Sequence, residues 1–176
     1  MKQIPNEAMI LSAGYGKRML PLTNSIPKPL AKINGIPILH HLIRRLKSHN
    51  INKIVINSFH LHEVLKKSVF ETFSDYVEII VEKELLETGG GVLNAIEKKV
   101  IGSKNTPFYV INGDIFWVQK ETISVFEKLY KYWNNKNMDI LILLNKKENL
   151  FGYEGKSFTR SKSLLVFNLF NESTSK

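Results

Sequence analysis

Apolar positions along the chain recur with two alternating periods. Ala8, Met9, Ile10 and Leu11 form a continuous apolar run that ends at Gly14, the pattern of a short buried strand followed by a loop. Pro37 then occupies a first-turn position, and Ile38, Leu39, Leu42, Ile43 and Leu46 recur at helical spacing up to Asn50. KIVINS (53–58) predicts a strand, and HEVLKKSVFETF (62–73) a helix presenting Val64, Leu65, Val69 and Phe73. YVEIIVE predicts a strand with Val77, Ile79 and Val81 on one face. A glycine-led helix carrying Val92, Leu93, Ile96 and Val100 follows, then the strand PFYVING, a helix from Glu121 to about Asn135 and the strand DILILL.

About five strands separated by helices imply right-handed crossovers and a mostly parallel sheet with helices on both faces, the α/β class. Ligands on such sheets bind beyond the carboxyl ends of the strands. The glycines and cations after the first strand, and Asn112 and Asp114 after the fourth, would therefore converge on one edge. From Lys146 onward the pattern weakens. LLVFNLF is a single apolar burst suited to an edge strand, and NESTSK has the composition of a frayed tail. This divides the chain into an α/β domain over 1–150 and a residual edge segment over 151–176.

Composition adds bounds. The 176 residues are 43% hydrophobic and 23% charged, ordinary for one globular core. Cysteine is absent, which removes disulfides and thiolate metal sites and fits a reducing cytoplasm. The N-terminus lacks a signal-peptide pattern, and no apolar run approaches the ~20 residues of a membrane span, so a soluble protein is expected. The net charge of +9 favours an anionic partner. Lysines accompanied by many asparagines and isoleucines are also what coding bias produces, so the charge is given little weight.

The loop after the first strand holds the candidate chemistry. Gly14 and Gly16 offer backbone amides without Cβ hindrance to phosphate oxygens. A dinucleotide fingerprint needs a third glycine where Met19 stands, and a P-loop needs Ser or Thr where Arg18 stands, so neither motif is present. What remains is Arg18, a bidentate fork for phosphate, and Lys28, a point charge. Pro27 and Pro29 fix φ on either side of Lys28 and predict a stiff, extended backbone there.

The run Leu11, Ala13, Gly14, Gly16, Arg18, Met19, Pro21, Leu22, Thr23, Pro27, Lys28, Pro29, Leu30 resembles the signature of the sugar-1-phosphate nucleotidyltransferases, the family that makes nucleotide sugars. LETGGGV (86–92) resembles the family's glycine-bearing segment beside the base, and VINGDIFW (110–117) its metal-binding strand end. Within the family these segments are most similar to N-acetylmuramate-1-phosphate uridylyltransferases and to mannose-1-phosphate guanylyltransferase-like proteins. The likeness covers about residues 7 to 145.

The resemblance implies a Rossmann-like α/β fold and transfer of a nucleoside monophosphate from UTP, or next from GTP, to a sugar 1-phosphate. It implies that Ala13, Gly14, Gly16, Lys17 and Arg18 form the triphosphate loop and that Lys28 is a phosphate ligand. It implies further that Gly89 and Gly90 neighbour base or ribose, that Asn112 contacts substrate, and that Asp114 binds Mg²⁺, the cofactor. Arg18, Lys28 and Asp114 would carry the catalysis by neutralising charge. The attacking phosphate oxygen is already anionic near neutral pH, so no histidine base is needed.

Family members are usually longer, and a second aspartate from their later region completes the metal site. This chain has no aspartate after Asp139, which opens DILILL at the end away from the ligand edge. Glu148, Glu154 and Glu172 are substitutes only by elimination. The chain thus reads as C-terminally shortened. A second polypeptide or an oligomer completing the site, a decayed gene product, and a catalytically silent nucleotide binder all stay open. A basic nucleic-acid module is the rival from another class, yet the lysines are scattered and no such motif occurs. Neither nucleic acid nor membrane is an expected partner.

Other residues are read as structural. His60 and His62 flank Leu61 without a third ligand nearby and suit helix-start or loop roles. The apolar stripe of their helix excludes at least one of His40 and His41, which are read as solvated rather than as a site, and the flanking Arg44, Arg45 and Lys47 are read as a solvated helix face. Trp133 is assigned to packing, and Trp117 is left open between packing and base stacking.

Overall fold

Strand β1 (Glu7–Leu11) is apolar along most of its length because helices cover both of its faces. The computed structural model describes residues 5–102, 106–118 and 123–143, with the backbone of 164–167. After β1 come three single turns of 3₁₀ helix, Lys17–Met19, Leu22–Asn24 and Lys28–Leu30. The short hairpin β2 (Lys32–Ile33) and β3 (Ile36–Pro37) leads into α1 (Ile38–Ser48). Then follow β4 (Lys53–Ser58), α2 (His62–Phe73), β5 (Val77–Val81), α3 (Glu87–Glu97), β6 (Phe108–Asn112), α4 (Val125–Tyr132), β7 (Ile140–Leu143) and β8 (Leu164–Phe167).

The main sheet has the order β5-β4-β1-β6-β8-β7. Its first four strands are parallel, with Ile10 level with Ile56 on one side and Ile111 on the other. Ala8, Ile10, Ile54, Ile56, Tyr109 and Ile111 pack in one cluster with residues of α1, α2 and α4. Met9, Val55, Ile80, Phe108 and Val110 pack in a second with Val92 and Ala95 of α3. The chain steps outward from β1 to β4 and β5, then returns to the other side of β1 as β6. That reversal opens a crevice beyond Leu11 and Asn112, where ligands of such sheets sit.

The expected α/β class is therefore observed, with corrections in detail. The segment read as an edge strand lies inside the sheet: β8 runs antiparallel between β6 and β7, and β7 forms the edge. Val64, Val81 and Leu93 are exposed rather than core. The buried stripe of α2 is Leu65, Val69 and Phe73 at strict four-residue spacing, narrower than the apolar pattern. Val81 ends the opposite edge strand, and Leu93 faces away from Val92 and Ala95.

Helix α4 occupies only the middle of its predicted span. Ser124, extended at φ −68° and ψ 157°, caps it in a reciprocal capping box with Glu127. The predicted start at Glu121 and the substitutes Glu148, Glu154 and Glu172 fall outside the described residues. Among the described residues, no helix is long and apolar enough to cross a membrane.

Candidate active site

The loop leaving β1 is shaped by Gly16. It sits in the left-handed region at φ 66°, and a Cβ there would lie 2.8 Å from Thr23 Cγ2 and 3.1 Å from Lys28 Cβ. Glycine is thus required both by conformation and by the closeness of Lys28. The Gly16 carbonyl accepts from Met19 N at 2.8 Å and from Thr23 Oγ1 at 3.1 Å, folding the loop over itself. His60 reaches the Thr23 carbonyl through Nε2 at 3.1 Å, and Tyr15 packs edgewise on Phe59, so the loop is pinned to the connection after β4. His60 accordingly has a loop role. His62 lies 3.1 Å from Glu63.

Ala13 is buried, whereas Gly14, Lys17 and Arg18 are exposed on the loop, with Lys17 Nζ 5.4 Å from the centre of the Tyr15 ring. A Cβ on Gly14 would meet nothing, so no internal packing demands glycine there. The backbone at Lys28 differs from expectation. Pro27 is extended, but Lys28 opens a 3₁₀ turn in which Leu30 N donates to the Pro27 carbonyl at 2.8 Å. Burial of Pro29 and Leu30 overrides the local preference of a residue preceding proline.

The end of β6 brings the partner. Gly113 N donates to the Leu11 carbonyl at 2.9 Å, and a Cβ on Gly113 would lie 2.3 Å from Ser12 Oγ and 3.0 Å from that carbonyl. This close approach sets the next residue over the crevice: Asp114 forms an ion pair with Lys28, their side chains 22% and 21% exposed. Two residues 86 positions apart thereby meet at the carboxyl edge. Asn112 is half-buried and level with Leu11, while Asp139 precedes β7 at the opposite edge.

Among the described residues, no group of three or more His, Asp or Glu side chains could hold a metal. Asp114 is a single carboxylate, which fits a Mg²⁺ ion already carrying phosphate and water oxygens and does not fit a cation caged by protein alone.

Gly89 and Gly90 lie in the first turn of α3. The sterically required glycine is their neighbour Gly91, whose Cβ would lie 2.7 Å from Asn57 Nδ2 and 2.9 Å from Glu82 Oε1. Sequence reasoning missed Asn57, Glu82 and Gly91. The available signal was position, since Asn57 stands near the carboxyl end of β4 and Glu82 just after β5.

Helix α1 holds two corrections. His40 is 8% exposed, bonded to Ser68 Oγ at 3.0 Å and packed edgewise on Phe73. Burial pushes its pKa below the ordinary 6.5, and the charge of Arg44 adds to the shift. Arg45 is not part of a solvated face: its guanidinium lies 4.5 Å from the centre of the Trp117 ring and donates to the Trp117 carbonyl at 2.7 Å. Burial lowers the Arg45 pKa. Trp117 packs on the main core and near Phe126, and Trp133 is buried as expected.

A family model described as Nucleotidyl transferase matches residues 7–154. N-acetylmuramate alpha-1-phosphate uridylyltransferase of Caulobacter vibrioides is 29% identical over 174 residues, covering 95% of this chain and 70% of that protein. The protein of the same name from Neisseria meningitidis serogroup B is 38% identical over 112 residues, covering 62% of this chain and 47% of its own length. The crystal structure of HddC from Yersinia pseudotuberculosis complexed with GMP-PN shares the fold, with a TM-score of 0.61 at 22% identity over 92% of this chain and 73% of that one.

Proposed function

Because the chain belongs to the nucleotidyl transferase family, we propose that it transfers the nucleoside monophosphate of UTP, or next of GTP, to a sugar 1-phosphate. The products are a nucleoside diphosphate sugar and pyrophosphate. The observation that carries this reading is the ion pair of Lys28 and Asp114 at the carboxyl edge, beside the loop closed by Gly16. The two relatives named above are uridylyltransferases, which supports UTP as the first choice, and the guanylyltransferases among the similar proteins keep GTP next to it.

A phosphate oxygen of the sugar 1-phosphate forms the new bond to the α-phosphorus. The bridging bond to the β-phosphate breaks, and pyrophosphate leaves with the electron pair. No side chain has to remove a proton, because the nucleophile is already an anion. The barrier is the crowding of negative charge, and the residues of the site answer it with positive charge. Exposed Arg18 offers a planar fork to the triphosphate, with Lys17 beside it. Lys28 exchanges Asp114 for a phosphate oxygen. Ala13, Gly14 and Gly16 let backbone approach the phosphates, Gly89 and Gly90 do so beside base and ribose, and Asn112 contacts the sugar phosphate. Mg²⁺, held by Asp114, would neutralise phosphate oxygens as it does in phosphoryl transfer generally. The cytoplasm supplies both nucleotide and Mg²⁺.

A second reading, nucleotide binding without turnover, draws on Asp114 being a lone carboxylate at the site among the described residues. The two are separated by titrating each nucleoside triphosphate with Mg²⁺ by calorimetry, then measuring pyrophosphate release with a panel of sugar 1-phosphates. Heat and release together support the transferase, and heat alone supports the silent binder. No heat with any triphosphate sinks both.

A further inference from the structure

Beneath the loop and α3 runs a chain of buried polar groups. Ser12 N donates to Asn57 Oδ1 at 2.8 Å, Asn57 Nδ2 donates to Glu82 Oε1 at 2.7 Å, and Leu86 N donates to Glu82 Oε2 at 3.3 Å. Asn57 and Glu82 are 3% and 4% exposed, and Glu82 has no ion-pair partner among the described residues. A buried carboxylate without a cation is costly unless its oxygens are bonded, and here each carboxylate oxygen accepts one N–H. The donor order is forced. A carboxylate can only accept, so the Asn57 amide must turn its nitrogen to Glu82 and its oxygen to Ser12. Gly91 seats α3 directly on this pair, leaving no room for a Cβ.

The two ends of the chain of bonds are informative. Ser12 is the first residue after β1 and begins the loop of Gly14 and Gly16, while Leu86 immediately precedes α3 with Gly89 and Gly90. We infer that Asn57 and Glu82 are positioning residues that hold the phosphate loop and the first turn of α3 at one fixed spacing, so that both sides of a nucleoside triphosphate are met together. This inference rests on the nucleotide site proposed above. An apolar filling would bury the same space, but would leave the N–H groups of Ser12 and Leu86 unpaired.

Asn57→Asp sets two carboxylates against each other, whereas Glu82→Gln alone leaves one bond unmade. The exchange Asn57→Asp with Glu82→Gln restores the whole chain. Its new carboxylate accepts from Ser12 N and from the new amide, whose oxygen accepts from Leu86 N. Dissociation constants for UTP with Mg²⁺ are measured well below each variant's unfolding temperature, beside hydrogen exchange of the peptides covering 12–16 and 86–91.

Asn57→Asp is expected to weaken UTP about tenfold or more and to speed exchange in both peptides, with the double exchange returning affinity to within about threefold of wild type. Where Asn57→Asp does not fold, Glu82→Gln is compared with the double variant in the same way. Folded single variants with wild-type affinity and wild-type exchange overturn the inference. If the wild-type chain binds no triphosphate, the functional reading fails separately. The coupling then stands on exchange alone, and unchanged exchange at 12–16 in the folded single variant refutes it.

Discussion

Replacing Gly113 by alanine would place a Cβ 2.3 Å from Ser12 Oγ, 3.0 Å from the Leu11 carbonyl oxygen and 3.2 Å from Ile10 Cγ2. The nearest contact is the easiest to relieve, because the Ser12 hydroxyl is buried without a partner among the described residues and can rotate. The other two belong to the β1 backbone and to a side chain with no exposure, which move only if the ladder between β1 and β6 opens. Overpacking of this kind costs about 1–3 kcal/mol, and loss of the Gly113 N to Leu11 bond adds about 1 kcal/mol. We expect about 3 kcal/mol in total, read as a lowered urea midpoint at unchanged slope. Asp114 is the next residue, so pyrophosphate release should fall about 10²-fold through displacement on the order of 1 Å. Ser12→Ala alone should be close to neutral, and adding it to Gly113→Ala should return no more than about 1 kcal/mol. Wild-type stability of Gly113→Ala, or full recovery in the double variant, would refute the steric argument.

Arg18→Ala and Asp114→Ala should each lower pyrophosphate release about 10²-fold or more while circular dichroism stays native, and wild-type release from either removes that residue from the chemistry. His40 is held neutral by burial, so the unfolded chain takes up a proton first as pH falls through 6.5. Stability should therefore decline below that pH, and His40→Gln should flatten the decline in urea titrations at pH 7.5 and 5.5; an unchanged slope means His40 does not titrate on unfolding. Ser124→Ala removes the hydroxyl that accepts from Glu127 N at 3.1 Å, and should cost about 1 kcal/mol by thermal unfolding. A shift under a few tenths of that would mean that α4 is held by packing alone.

The sequence by itself determined the class of fold and which loops stand at the carboxyl edge of its sheet. Strands buried on both faces must be apolar throughout, as Ala8–Leu11 and Val110–Ile111 are, and strands that alternate with helices can pair in parallel only through crossovers. Gly16 and Asp114 stood out as candidates because each follows a strand at the edge where such sheets bind ligands, and Lys28 because prolines flank it. Only the tertiary structure decided which residues meet there. Periodicity reports which face a residue takes and is silent on lateral order, so β8 between β6 and β7 was not readable from LLVFNLF. Likewise His40 finds Ser68, Asn57 finds Glu82 and Arg45 finds Trp117 across 25 to 72 residues. These polar side chains, solvated by default in a linear reading, are buried (His40, Asn57) or half-buried (Arg45) because a distant partner satisfies them, and that partner exists only once the chain has folded.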